Sequence, residues 1–354
     1  MAVHFDLERM AQVRENHIRW WNGTLDRPLV RLTVHDAHPC EKKTPAPLLN
    51  QQSCADFSWS PEQIVDALDE NLSCQEYLGD AFPFINFDAF GPGVLAAFCG
   101  AILDNRSGGV WFFPPEERDI SEIHVRYDPE NMWVRRIKDI YRAGLEKWNG
   151  TVIMGLPDLG GVMDVAATFL GSENLLLDLY DNPDEVIRLN REIQDAWYAA
   201  YQDFAAVLAP QNGLSNWSGL LSSEPSYIIQ CDFCYMIGNP MFRRFVLPTL
   251  KEDTERLAQT IYHLDGVGQL NHLDDVLALE NLNAVQWVFG DGKPSGLHWL
   301  DVYRRIQKSG KQMMIVGSPQ DYLDVLGAVH GTPYGNFGLS ARETDLAKAL
   351  LSAR

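Results

Sequence analysis

The chain has 354 residues, of which 46% are hydrophobic and 22% charged, which is enough apolar material for one large or two ordinary domains. Its 48 acidic residues outnumber its 29 lysines and arginines, so the formal charge is −19 at pH 7. Nucleic acids and anionic membrane surfaces bind clustered cations, so this charge argues against both as the main partner.

The chain shows no sign of export or membrane insertion. Residues 1–21 lack a cationic start followed by a long apolar stretch, and no window approaches 18 uninterrupted apolar residues. The six cysteines are scattered, so in a chain of this size we expect reduced thiols. These features predict a cytoplasmic protein.

Short apolar runs with β-forming residues alternate with longer helical segments along the chain. Their near-continuous apolar character is typical of strands in a parallel sheet that is buried on both faces. The predicted strands are PLVRLTVH (28–35), FPFINF (82–87), TVIMGLP (151–157), GLSNW (213–217), IYHLD (261–265), AVQWVFG (284–290), QMMIVG (312–317) and NFGLS (336–340).

Helix start signals stand between these runs. Ser60, Pro61 and Gln63 predict a helix with a capping box and with proline at its first position. Further helix starts are predicted at 128–130, 181–185, 239–240, 318–319 and 340–343.

About eight strand–helix units in 354 residues indicate a single α/β domain, a (β/α)8 TIM barrel that spans residues 1–354. An open doubly wound sheet is the alternative, but no Gly-X-Gly-X-X-Gly or Walker-type loop supports it. The surplus length lies in two insertions, at about 36–59 and 88–128. Both follow predicted strands, so we expect them to cover the C-terminal face of the barrel, where barrel enzymes carry their active sites.

The predicted strand at 261–265 carries the most informative polar residues. His263 and Asp265 are two residues apart, so in a strand they point to the same side and can face one ligand. Imidazole and carboxylate in this arrangement suit binding of zinc or another divalent metal, or acid–base catalysis. The alternative is that His263 is a core histidine and that Asp265 caps the next helix.

Other strand ends supply further candidates. Asp232 lies in a loop that would overhang the barrel, so we place it with His263 and Asp265 as a catalytic candidate. Cys231 and Cys234 form a lone Cys-X-X-Cys pair, which is a weak signal of metal or redox chemistry. The candidate substrate-binding residues are Asp158, Trp217, His272, Gln286 and Trp287. The two tryptophans could stack on a flat or methylated ligand. The alternative for the residues of this set is a structural role, in core packing or in helix capping.

From about residue 80 onward, the chain resembles the uroporphyrinogen decarboxylase-like superfamily. The matching segments are 91–96, 178–186, 239–248, 261–265 and 283–288. The Arg27-Pro28-Leu29 opening is typical of the methyltransferase-like members. The superfamily includes porphyrinogen decarboxylases and corrinoid-linked methyltransferases, and the resemblance implies a (β/α)8 barrel, in agreement with the strand count.

Two departures from the superfamily patterns bear on function. The signature Met-Arg-Gln-Ala-Gly-Arg of porphyrinogen decarboxylases is missing, which argues against a polycarboxylate substrate. Zinc methyltransferases of the superfamily carry His-X-Cys and a later cysteine, whereas this chain has His263-Leu264-Asp265 and no cysteine after Cys234.

The resemblance implies methyl transfer between a small methylated substrate and a corrinoid on a separate protein. Decarboxylation of a small organic acid and non-catalytic binding of a ligand or corrinoid are the alternatives, and a homodimer is left open.

Overall fold

A computed structural model of the chain describes residues 3–39 and 43–353. The strands are β1 (Leu29–His35), β2 (Glu76–Gly79), β3 (Phe84–Ile85), β4 (Ile102–Asp104), β5 (Trp111–Phe113), β6 (Ile153–Met154), β7 (Ser226–Gln230), β8 (Gln259–Asp265), β9 (Ala284–Val288), β10 (Gln312–Ile315) and β11 (Tyr334–Ser340). The helices are α1 (Leu7–Trp21), α2 (Pro61–Leu72), α3 (Leu95–Phe98), α4 (Met132–Trp148), α5 (Val162–Leu170), α6 (Ser172–Asp181), α7 (Pro183–Leu208), α8 (Asn239–Met241), α9 (Leu247–Arg256), α10 (Leu273–Leu277), α11 (Leu300–Lys308), α12 (Pro319–Leu326) and α13 (Thr344–Ser352).

The largest sheet has the strand order β2-β1-β11-β10-β9-β8-β7. Its strands pair in parallel except β2, which runs antiparallel to β1. Strands β3 and β6 form a separate parallel pair, and β4 and β5 form an antiparallel hairpin. The predicted α/β class with a parallel sheet is therefore confirmed. Strand pairing within residues 3–39 and 43–353 does not join the β3–β6 pair to the large sheet, so closure into a barrel stays a prediction.

The strand predicted at 213–217 is wrong. This segment forms turns in which the Asn216 side chain accepts a hydrogen bond from the Ser218 amide and Gly219 takes a left-handed conformation with φ of 74°. The strand of this region is β7, which begins directly after Pro225 and is buried along its whole length. The polar residues at its two ends, Ser226 and Gln230, leave too short an apolar run for the strand to be predicted from the sequence.

The helix start signals at Ser60 and Pro183 are confirmed. Ser60 makes the predicted capping box with Gln63 at the start of α2, and Pro183 opens α7. The start signal at 340–343 is displaced, because the amide and hydroxyl of Ser340 bond the Glu343 carboxylate and close a turn before α13 begins at Thr344.

The two faces of the large sheet bury different residues. One face contributes to a small apolar cluster that includes Trp20, Leu29, Ile228, Ile261, Ala284, Met314 and Tyr334. The other face packs into a larger core that includes Tyr262 and Leu264. Because side chains alternate along a strand, His263 and Asp265 share the face of Ile261 and lie nearer the carboxyl end of β8.

Four cysteines in the described part of the chain, Cys54, Cys99, Cys231 and Cys234, are free. Cys74 is disulfide-bonded, so the expectation of reduced thiols is wrong for that residue. Cys40 lies outside the described residues. Across residues 3–39 and 43–353, none of the helices has the length and apolar character needed to cross a membrane.

Candidate functional site

Three potential metal ligands meet at the carboxyl ends of β7 and β8. Asp232 lies two residues beyond the end of β7. His263 and Asp265 are among the last three residues of β8. One ligand atom of each residue lies within 4.8 Å of the other two. The Nε2 atom of His263 and the Oδ2 atom of Asp265 are 3.9 Å apart. The structure thus brings together the three residues that the sequence analysis proposed as catalytic.

The register of the parallel strands explains why these side chains meet. Gln230, His263 and Gln286 are direct neighbours across β7, β8 and β9. Neighbours in register point to the same face of a sheet, so all three lie on the face of the small apolar cluster. Asp265 follows two residues later in β8 and extends the same face, whereas Asp232 reaches the group from the turn just beyond β7.

Gln286 orients the imidazole of His263. The side-chain oxygen of Gln286 accepts a hydrogen bond from Nδ1 of His263, and its amide nitrogen faces the sulfur of Met314 at 3.2 Å. The Nδ1 proton leaves the lone pair of Nε2 free to face the two carboxylates. Burial lowers the pKa of His263, although Gln286 and Asp265 partly offset the shift. The neutral imidazole is the form that binds metals.

The ring of Trp217 adds an aromatic edge to this site. Its centroid lies 5.0 Å from that of His263 and the two rings are nearly perpendicular, at 89°. The Nε1 atom of Trp217 is buried without a hydrogen-bond partner in the described structure. Trp217 is therefore placed beside the potential ligands, as the sequence analysis proposed.

Further carboxylates surround the three ligands. Burial raises the pKa of Asp158 to about 7, where the Gly160 amide opposes the shift and Asp232 and Asp164 add to it. Burial and then Asp232 raise the pKa of Asp164 to about 6. Partial burial of the Asp232 carboxyl group among its neighbours, and then the charge of Asp265, raise its pKa to about 6, although the residue is accessible to solvent. Crowded carboxylates of this kind favour a cation or a proton between them.

A cavity of about 570 Å³ opens beside Asp232. Both predicted insertions contribute to its wall, the first through Gln51 and the second through the β4–β5 hairpin. Its described lining residues are Gln51, Pro92, Gly93, Gly109, Val110, Trp111, Phe112, Gly160, Asp164, Ala167, Thr168, Ser172, Gln230, Asp232, Phe233 and Met236. Asp164 and Asp232 carry the only charged side chains of this set, so the described lining is acidic and aromatic.

Asp158 anchors the second insertion to the strand end. Its carbonyl oxygen accepts hydrogen bonds from the amides of Gly93 and Val94, both at 3.0 Å. A Cβ atom at Gly160, where φ is 76°, would lie 2.6 Å from Cα of Gly93, so the two backbones can approach this closely only with glycine. The Asp158 carboxylate accepts a bond from the Gly160 amide at 3.0 Å. Asp158 therefore lies buried behind the cavity.

His272 and Trp287 do not join the potential ligands. His272 is buried, its Nε2 pairs with the carbonyl oxygen of Cys234 at 3.0 Å, and its ring stacks on Phe242 with centroids 4.3 Å apart. Trp287 is also buried and packs edge-on against Trp299. Because it follows Gln286 directly in β9, Trp287 points to the opposite face of the sheet.

Asp164 was not among the site residues predicted from the sequence. This residue lies in the first turn of α5 and lines the cavity. The signal that could have found it is its position just after Gly160 and Gly161, which follow a strand end, but an acidic residue there also suits an ordinary helix start.

Comparisons with known proteins give a likeness in structure and none in sequence. No protein-family model and no curated protein sequence matches the chain. A methyltransferase from Methanosarcina mazei has a similar structure, with a TM-score of 0.61 over 96% of this chain and 97% of that chain, at 11% sequence identity. The chain therefore has a methyltransferase-like α/β fold.

Proposed function

We propose that the protein is a methyltransferase of the uroporphyrinogen decarboxylase-like superfamily, which transfers a methyl group between a small methylated substrate and a corrinoid on a separate protein. The observation that carries the proposal is the meeting of Asp232, His263 and Asp265 beside a cavity of about 570 Å³. The likeness in fold to a methyltransferase over nearly the whole chain and the sequence segments described above support the same class.

The proposal includes a closed barrel as a single domain. Strands β1, β7, β8, β9, β10 and β11 are parallel neighbours in one sheet, and β3 and β6 form a second parallel pair. Together they are the eight strands that a (β/α)8 barrel requires. The Leu156 amide, just beyond β6, donates a hydrogen bond to the carbonyl oxygen of Ser215. This bond puts the end of β6 beside the segment that precedes β7, as a closed barrel would require.

The donor set fits a divalent metal. Asp232 and Asp265 would each supply a carboxylate oxygen, and His263 would supply Nε2, which the Gln286 contact leaves unprotonated. Zinc accepts nitrogen and oxygen ligands, and two carboxylates in place of thiolates also suit harder ions such as Mn²⁺. When bound, a metal of this kind acts as a Lewis acid that activates a substrate group.

The remaining residues of the site would bind and orient the substrate. Trp217 offers an aromatic edge beside His263, whereas Asp158, buried behind the cavity with its pKa raised to about 7, would hold the loop of Gly160 in place. The β4–β5 hairpin would exclude water from the cavity. Methyl transfer depends on in-line placement of donor and acceptor, which a rigid site on adjacent strands can provide.

The cavity favours methyl transfer over decarboxylation of an organic acid. A carboxylate substrate is usually held by arginine or lysine, and the described cavity lining contains neither. The acidic lining suits a neutral or cationic substrate.

The experiment that tests the proposal measures both metal content and methyl exchange. The purified chain is loaded with Zn²⁺ or Mn²⁺ and incubated with methylcobalamin and a panel of methoxy, methylamine and thiol compounds. We expect one divalent ion per chain by elemental analysis, and a change in the corrinoid absorbance with at least one compound. His263→Ala should lose both, whereas the exposed control His330→Ala should retain both.

The other outcomes select the alternatives. Absence of methyl exchange across the panel overturns methyl transfer, and release of carbon dioxide from a small acid selects a decarboxylase. Tight ligand or corrinoid binding that produces no turnover selects a binding protein.

A further inference from the structure

The carboxylate of Asp164 bonds the backbone at the base of the turn that carries Asp232. Its Oδ2 accepts a hydrogen bond from the Asp232 amide at 3.1 Å, and its Oδ1 accepts one from the Phe233 amide at 2.7 Å. These amides open the short 3-10 turn that spans Asp232–Met236. The first amides of a helical turn have no partner within the turn, so Asp164 satisfies them from another element.

Rigid elements hold Asp164 in this place. Asp164 belongs to the first turn of α5, most of which is buried. The loop before α5 is fixed by the Trp197 ring nitrogen, which donates to the Gly160 carbonyl, and by the Tyr227 hydroxyl, which accepts from the Leu159 amide. A Cβ atom at Gly161 would lie 2.2 Å from the carbonyl oxygen of Gln230, so α5 begins in direct contact with the end of β7.

The Asp232 side chain has no comparable support. Its carboxylate takes part in none of the hydrogen bonds among the described residues, and its side chain is exposed to solvent. Its position relative to His263 and Asp265 therefore depends on its backbone. The two hydrogen bonds that the Asp232 and Phe233 amides donate to Asp164 fix that backbone.

We propose that Asp164 is a positioning residue, which holds Asp232 where its carboxylate, His263 and Asp265 can bind one divalent metal ion. The inference rests on the metal site of the proposed function. Asp164 lies outside the cluster of three and both of its oxygens accept backbone hydrogen bonds, so we assign it a supporting role and leave the ligand positions to Asp232, His263 and Asp265. Its role resembles that of outer partners in metal sites, whose loss typically weakens metal binding by about 10–100-fold.

The test is a titration of the purified full chain with Co²⁺, followed by its visible absorption bands. Asp164→Ala removes both acceptors, so we expect Co²⁺ affinity to fall about 10–100-fold. The bands should also change in position and intensity, because Asp232 leaves the set of ligands. Asp164→Asn keeps one acceptor oxygen, so its affinity should lie between those of Asp164→Ala and the wild-type chain. The matched control is Asp184→Ala, the same change at an exposed acidic residue in the first turn of α7, whose side chain makes no hydrogen bond or ion pair with the described residues.

Hydrogen exchange at the amides of Asp232 and Phe233 gives a second readout that needs no metal. Both amides should exchange faster in Asp164→Ala and Asp164→Asn than in Asp184→Ala. If Asp164→Ala does not fold, Asp164→Asn alone decides the question.

The outcomes separate this inference from the proposed function. Wild-type affinity for Co²⁺, unchanged spectra in both Asp164 variants and unchanged exchange overturn the positioning role and leave the metal site standing. A wild-type chain that binds no Co²⁺ overturns the metal site and the role of Asp164 with it.

Discussion

Two groups of polar residues in this protein contain carboxylates whose pKa values are shifted in opposite directions, one around Asp80 near the start of β1 and one with Asp158, Asp164 and Asp232 at the carboxyl ends of β6 to β8. Asp80, in the first group, accepts two hydrogen bonds from Arg27 at 2.7 Å, one from Asn16 at 2.9 Å and one from the Val30 amide at 3.2 Å. Burial alone would raise the pKa of Asp80, but the bonds and charge of Arg27 outweigh it and lower the pKa.

The second group shows the opposite balance. Asp158, Asp164 and Asp232 all have raised pKa values, mainly through burial, and the charges of neighbouring carboxylates add to the shift, that of Asp265 in the case of Asp232. No arginine or lysine of the described chain forms an ion pair with any of the three. The difference shows that burial of a carboxylate does not by itself mark a functional site, whereas several neighbouring carboxylates that raise one another's pKa without a paired cation are a stronger indication of one.

The largest expected effect separates the two groups by their contribution to stability. Asp80→Ala should lower the free energy of unfolding by about 3 kcal/mol, because it leaves the buried donors around it without an acceptor. Asp232→Ala should change it by less than about 0.5 kcal/mol, because its side chain bonds no described residue. Urea unfolding of both variants measures the contrast, and similar losses would erase it.

The next effect concerns ligand binding. Gln286→Leu removes the acceptor that orients His263, so the affinity for Co²⁺ should fall about 10–100-fold while stability changes little. Asn16→Ala is the counterpart in the first group. It should lower the free energy of unfolding by about 1 kcal/mol and leave the affinity for Co²⁺ unchanged. The comparison fails if Asn16→Ala also weakens metal binding.

The smallest effect is a difference in pH dependence. Asp158 keeps its proton in the folded state up to a pKa of about 7, whereas in the unfolded chain it ionises near pH 4. Unfolding between these values releases a proton, so the free energy of unfolding falls as the pH rises. Asp158→Asn should therefore be more stable than the wild-type chain at pH 8 by about 1 kcal/mol or more, and closer to it at pH 4.

For Asp80 we expect the free energy of unfolding to change with pH in the opposite direction. Because its folded pKa is lowered, its stabilising contribution is present above about pH 4 and is lost as the pH falls further. Unfolding curves from pH 3 to 8 for wild type and Asp158→Asn test both slopes. A variant that keeps the full decline toward pH 8 would contradict the assignment to Asp158.

Local patterns in the sequence predict much of the sheet and the centre of the candidate site. The apolar runs locate β1 and β8 to β11, and the alternation of β8 brings His263 and Asp265 to one face. These predictions succeed because a strand's face follows from residue spacing alone. The capping box at Ser60 succeeds for the same reason, since every bond that it needs lies within four residues.

The remaining features depend on contacts between distant parts of the chain. Asp164 acquires its position from the approach of α5 to the end of β7, a pairing of residues about 70 apart that spacing does not reveal. His272 is turned away from the site by its stacking on Phe242 and its bond to Cys234. The placement of Trp287 was open to prediction, because Gln286 and Trp287 are adjacent in one strand and cannot share a face.

The β4–β5 hairpin has a consequence for how this protein can diversify. His263 and Asp265 lie on a strand whose register is fixed by the sheet, and Asp232 follows β7 closely, whereas Trp111 and Phe112 reach the cavity from a hairpin outside that sheet. Replacement of the hairpin changes the shape of the cavity and leaves the ligand geometry intact. Mutations in the hairpin can thus change substrate specificity while the residues that carry the chemistry stay the same. We therefore expect relatives that share the strand-end residues but differ in this hairpin to act on different substrates.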